Sequence, residues 1–177
     1  MILPSRRRSQ PLTLVLAMAA LFATANALHA QTSSQEEPVW MESAVTPPAA
    51  FKTESLQPFD VMRDSALSYG IDPGSLTVGE DGVVRFVMVA RSASGALNVL
   101  FQGIRCATAE TKTYARLSDK GNWNASSKAE WQELSFRGPT RPAMMLARQG
   151  VCDGKAVMGS PQKILSALKT GVADRYR

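Results

Sequence analysis

The stretch that most limits the fold is VVRFVMVARSASGALNVLFQGIRC, Val83 to Cys106. It holds two long apolar runs joined by Ser92-Ala93-Ser94-Gly95, a composition that turns a chain. Side chains alternate between faces along a strand. Val84, Phe86, Met88 and Ala90 therefore share one face, and Val83, Val87 and Val89 share the other. A strand that is apolar on both faces needs cover on both sides, which predicts a central position. Arg85 and Arg91 fall on the second face, near its ends. The return run, Ala96 to Cys106, puts Leu97, Val99 and Phe101 on one face and Asn98, Leu100, Gln102, Ile104 and Cys106 on the other. The remaining chain is expected to pack on this hairpin.

The flanking segments supply further elements. Leu76-Thr77-Val78 reads as a short strand, and Gly79-Glu80-Asp81-Gly82 closes a tight hairpin into Val83. Glu80 and Asp81 are read as turn residues in preference to an acid/base or metal pair. Between Phe51 and Asp72 two periods compete. Phe59, Met62, Ala66 and Leu67 lie on one helical face, whereas Phe59 with Val61, and Leu67 with Tyr69 and Ile71, alternate as in strands; the strand reading is preferred for 59–71. Thr111 to Leu117 alternates again, with Tyr114 between Lys112 and Arg116, and Trp131 to Phe136 reads as one more strand. After Gly138 a short helix is expected through Ala143 to Gln149, with Thr140 as its cap and Gly150 as its end. Ser160-Pro161 opens a second helix with serine at the cap and proline in the first turn, and Gly171 ends it. The expected class is α+β, an antiparallel sheet of about five strands with two short C-terminal helices.

Residues 1–30 read as a signal peptide. Arg6-Arg7-Arg8 precede an apolar run, Leu12 to Leu21, that is shorter than the roughly 20 residues a bilayer requires. Cleavage is expected after Ala27 or after Ala30. Ser9-Gln10-Pro11 does not continue a twin-arginine signal, so Sec export to the periplasm is expected, with no stable membrane span after cleavage. Residues 31–50 read as a flexible segment and 51–177 as a single domain. Trp40 in that segment either docks on the domain or stays exposed; both readings stand. Without the three leader arginines, the 20 basic side chains fall to 17 against 15 acidic ones, a balance of +2. That is too mild to imply a nucleic-acid partner.

The chain has two cysteines, Cys106 and Cys152. In an oxidising compartment they are expected to pair, tying the helical end to the sheet and restricting the unfolded chain by about 4 kcal/mol. The alternative, a reactive thiol, lacks both a Cys-x-x-Cys spacing and a histidine to activate it. The single histidine, His29, falls in the leader. No Ser-His-Asp triad, metal site, cofactor or phosphate loop is expected. Ser160-Pro161-Gln162-Lys163 matches Ser-x-x-Lys and Lys169-Thr170-Gly171 matches the Lys-Thr-Gly of penicillin-binding enzymes, but both lie on one short helix. The candidate binding residues are Arg85, Arg91, Ser94, Gly95 and Arg105 along the hairpin, with Trp123 and Trp131. The two tryptophans with Phe136, Lys128 and Arg137 suggest a stacking platform, against the alternative of sheet-core aromatics. A purely structural reading pairs Arg85, Arg91 and Arg105 with Glu80, Glu110 and Glu133.

The run Asp72-Pro73-Gly74-Ser75-Leu76-Thr77-Val78-Gly79, then Asp81-Gly82-Val83-Val84-Arg85, Ser94-Gly95-Ala96, Asn98-Val99 and Gly103-Ile104-Arg105-Cys106 resembles the cryptic-neisserial-protein-like family of small exported Gram-negative proteins. Tyr114, Gly121, Trp123, Trp131 and Cys152 fall where that pattern expects them, and Val151 stands where it has an aromatic. The resemblance covers Trp40 to Gly171. It implies an exported single domain and supplies no activity or catalytic residue. The function expected is a non-catalytic periplasmic binding or accessory protein of the cell envelope, its partner a periplasmic protein or envelope component. One alternative is an inhibitor of a lysozyme-type envelope hydrolase, acting through Ser94-Gly95 and Arg91 or Arg105. The other is a serine/lysine hydrolase using Ser160 and Lys163.

Overall fold

Ten strands and two helices are found among the described residues of the computed structural model, which are 39–62 and 65–171. The expected signal peptide, both cleavage positions, His29 and the tail beyond Gly171 lie outside the described residues. The strands are β1 (Gln57–Phe59), β2 (Leu67–Ile71), β3 (Thr77–Val78), β4 (Val83–Ser92), β5 (Leu97–Arg105), β6 (Glu110–Leu117), β7 (Trp123–Ala125), β8 (Gln132–Glu133), β9 (Cys152–Asp153) and β10 (Ala156–Val157). The helices are α1 (Arg141–Leu146) and α2 (Pro161–Thr170).

The opening hairpin is the centre of the molecule. β4 and β5 pair antiparallel from Val83 opposite Arg105 to Arg91 opposite Leu97. The large sheet runs β1-β2-β4-β5-β6-β7, with β3 sharing the free edge of β4 and β8 sharing that of β6. It has eight strands against the five expected, because short edge pairs such as β3 and β8 carry too few residues to show a period. The segment 59–71 is strand at both ends, as preferred: β1 and β2 pair with Phe59 opposite Tyr69. The strand expected from Trp131 to Phe136 shrinks to Gln132–Glu133.

Both faces of the sheet are covered, as a doubly apolar β4 requires. One face carries Val84, Phe86, Met88, Ile104 and Cys106, packed on Leu146, Val151 and Ile164 of the C-terminal part. The other carries Val87, Val89, Val99, Phe101 and Ala115, with Val45, Phe51 and Leu56 of the preceding chain laid across them. The described part of the segment expected to be flexible is thus held on the sheet from Trp40 on.

α2 starts as its sequence directs: Ser160 Oγ accepts the Lys163 N–H at 3.4 Å, Pro161 fills the first turn, and Gly171 follows with φ 62°. α1 departs from expectation. Thr140 precedes it without capping it, its Oγ1 instead accepting the Ser135 N–H at 3.2 Å. Past Leu146 the helix widens from Ala147 and its helical backbone stops at Gly150, which is non-helical, with the chain extended at Cys152. Gly150 is also buried where a Cβ would meet Ala167 and Leu168 of α2, so close helix approach is a second reason for glycine there. Cys106 and Cys152 are joined with their Cα atoms 5.6 Å apart, tying this C-terminal part to the end of β5. Val151 is fully buried beside the bond.

Candidate functional site

The candidate residues chosen from sequence fall into separate places. Arg85 is buried, and its two terminal nitrogens grip Asp81, Nη1 to Oδ1 at 3.0 Å and Nη2 to Oδ2 at 2.5 Å. Its partner is Asp81 in the turn, not Glu80. Burial by itself raises the Asp81 carboxyl. The Arg85 hydrogen bonds and the N–H groups of Ser43 and Val83 outweigh burial and hold it far below the usual carboxylate range. The same balance favours charged Arg85. Trp40 donates its indole N–H to the Asp81 carbonyl at 2.8 Å, and the Arg105 guanidinium stacks over its ring at 3.7 Å. The question left open by sequence is answered: Trp40 docks.

Trp131 meets Trp40 edge-on at 6.0 Å and donates to Glu42 Oε2, which also accepts Lys112 Nζ at 2.8 Å. Burial raises the Glu42 carboxyl, and the bonds from Lys112 and Trp131, with Tyr114 close by, more than reverse it. Tyr114 lies between Arg85 and Lys112, both over its ring at 5.7 and 5.4 Å. Burial, then the neighbouring Glu42 carboxylate, pushes its phenol up. This cluster is a built-in clamp: Asp81 pairs with Arg85, Glu42 pairs with Lys112, Arg105 lies on the Trp40 ring, and together they pin the chain around Trp40 to the sheet.

The other candidates lie elsewhere. Arg91 donates to the Thr53 carbonyl near the far end of the hairpin. Ser94 and Gly95 form the exposed tip, the Ser92 and Ser94 hydroxyls 2.9 Å apart. Arg105 is at the opposite end of the ribbon from that tip. Trp123 packs on Phe51 and Phe101 and donates to the Pro48 carbonyl. Phe136 lies near Arg148 instead. The three aromatics suggested as a stacking platform thus have different neighbours. Ser160 is occupied in its helix cap, and Lys169-Thr170-Gly171 closes the same helix.

An open cavity of about 460 Å³ lies on the opposite face of the sheet, between β2, β4, β5 and β6 and the start of α1. None of Arg85, Arg91 and Arg105 lines it. Its floor is ordered by the strand register: Met88 opposite Leu100 opposite Arg116 in one row, Gln102 opposite Thr113 in the next. Gln102 is 8% exposed. It donates through Nε2 to Thr113 Oγ1 at 2.8 Å and leaves Oε1 buried without a partner. Arg141 at the start of α1 has a buried Nε in the same condition. Each such group costs about 1–3 kcal/mol when left unsatisfied. Sequence reasoning had placed Gln102 on the right face without marking it. The signal was a polar residue flanked by Leu100 and Ile104 on a strand face that packs into a core.

The model of the CNP1-like family matches residues 35–169, most of the chain. The chain belongs to the CNP1-like family. This is the family whose pattern the hairpin residues resemble. No curated protein and no solved structure matches the chain significantly. In this CNP1-like protein the residues of the pattern serve the clamp and the staple: Asp81, Arg85, Arg105, Tyr114 and Trp131 hold one face, and Cys106 and Cys152 hold the other. Gly103 belongs to the clamp too. A Cβ on it would stand 2.8 Å from the Tyr114 hydroxyl and 2.9 Å from its ring. Among the described residues no helix is long and apolar enough to cross a membrane, and no group of three or more His, Cys, Asp or Glu could hold a metal ion.

Proposed function

We propose that this CNP1-like protein is an exported, non-catalytic binding protein of the periplasm, and that its ligand seat is the cavity over Gln102. The observation that carries this reading is the pair of buried, unpartnered polar atoms, Gln102 Oε1 and Arg141 Nε, in residues lining one cavity. The clamp leaves two such atoms as well, Arg85 Nε and Tyr114 Oη; what sets Gln102 and Arg141 apart is that both line one cavity, where a ligand can partner them. The volume falls in the range of about 300–1,000 Å³ that small-molecule sites occupy. Export is supported by the leader pattern and by the paired cysteines. A non-catalytic role is supported by where the candidate nucleophiles stand: both thiols are in the disulfide and Ser160 Oγ is in a cap.

The test is native mass spectrometry of the oxidised protein incubated with a small-molecule extract of the bacterial envelope. A bound small molecule is expected in the wild type and lost in Gln102→Leu, with an unchanged amide NMR fingerprint elsewhere as the control for folding. A wild type that retains nothing sinks the reading.

A further inference from the structure

The lining of the cavity defines a ligand more closely than its volume does. Among the described residues its charged members are Arg116, Lys128 and Arg141 against Glu130, a lining that favours an anion. Its apolar members include Met62 and Leu67, which stand 47% and 39% exposed, and Leu100 beside Met88 on the floor. One buried demand is for an acceptor, to take the Arg141 Nε–H. The other comes from Gln102, where one end of the amide is spent on Thr113 and the other end is free. The chemistry that meets all of these in one small molecule is a carboxylate for the cations, a secondary amide for Gln102 and an apolar chain for Met62 and Leu67. A secondary amide carries both a donor and an acceptor, so it completes Gln102 whichever way that side chain's amide is turned. A plain fatty acid leaves Gln102 unsatisfied, and a phosphate or polyol leaves the apolar wall wet.

We infer that the cavity binds an N-acylated amino acid. The inference rests on the reading of this cavity as the ligand seat. The acyl chain lies against Leu100, Met62 and Leu67, the amide meets Gln102, and the carboxylate meets Arg141 with Arg116 and Lys128 around it.

The test titrates the oxidised protein with N-octanoylglycine, its methyl ester and octanoic acid, by calorimetry and by backbone amide NMR. N-octanoylglycine is expected to move the signals of Leu100, Gln102 and Thr113, and to bind at least tenfold tighter than either comparison compound. Gln102→Leu is expected to bring it down to the level of octanoic acid, and Arg141→Met to erase the difference between acid and ester. Arg141→Met removes an unpartnered buried Nε, and Gln102→Leu removes an unpartnered Oε1 at the cost of one hydrogen bond to Thr113, so both are expected to fold. Equal binding of acid and ester, or equal binding of octanoic acid, overturns the inference. If N-octanoylglycine leaves those signals unmoved while a molecule retained from envelope extract moves them, the ligand class is wrong and the seat stands. If neither moves them, both fall.

Discussion

The Arg105 guanidinium carbon sits 3.7 Å from the centre of the Trp40 ring. One residue ends β5, and the other opens the segment that crosses the sheet toward Val45 and Phe51. The contact closes the clamp that the buried Asp81–Arg85 pair anchors, since the same indole donates to the Asp81 carbonyl.

Trp40→Ala removes both links. The expected loss is about 2 kcal/mol, from a partly desolvated cation–π contact and one hydrogen bond. Trp40→Phe keeps a ring but no N–H, so about half of that loss is expected. Urea unfolding of the three proteins measures it, and equal stability of all three would show the contact to be idle.

Asp81→Asn leaves Arg85 buried with half its partner. A loss of about 3–5 kcal/mol is expected, the usual cost of breaking a buried pair. The pH dependence has a definite sign. The Asp81 carboxyl is held below its unfolded value of about 3.9, so its contribution is complete above that pH and is lost as pH falls further. Stability measured from pH 6 down to pH 2 is expected to drop steeply below pH 4 in the wild type, and less steeply in Asp81→Asn.

Gly103→Ala drives a methyl into the Tyr114 ring and toward Val83 Cγ1, 3.0 Å away. Neither strand can move without breaking the ladder, so about 1–3 kcal/mol of destabilisation is expected. In a Tyr114→Ala background the same change is expected to cost much less, because the obstacle is gone. Additive losses in thermal unfolding would place the strain elsewhere.

Replacing Cys106 and Cys152 with serine frees the end of β5 from the segment after α1. A loss of about 2–5 kcal/mol is expected. The wild type unfolded in reductant is expected to match the double mutant, and a mismatch would mean that the serines themselves disturb the packing around Val151.

Much of this was legible along the chain. The alternation of Val83 to Ala90 and of Leu97 to Cys106 assigned Val84, Phe86, Met88, Ile104 and Cys106 to one observed face and Val87, Val89, Val99 and Phe101 to the other. Ser160-Pro161 marked the start of α2, and the two cysteines marked their own bond. The binding candidates were less legible. Arginines on strands look available in a sequence, yet Arg85 is spent on Asp81 and Arg105 on Trp40. Asp81 looked like turn punctuation although its partner stands only four residues on, because nothing in the sequence marks Arg85 as buried and turned back onto the turn.

Local order in the sequence determined what local order can determine: strand faces, turns, a helix cap and a staple, all set by neighbours a few residues apart. Tertiary structure decided which polar groups end up satisfied. The ladder between β5 and β6 slips by one residue, so that Phe101 faces Ala115 while Gln102 faces Thr113, with Tyr114 bulged between. Because side chains alternate, that slip reverses the faces beyond it. Tyr114 joins Lys112 in the clamp, and Arg116, which simple alternation puts beside them, turns to the cavity instead. A bulge is fixed by the fit of two strands to each other and to what covers them, and neither strand carries that fit alone.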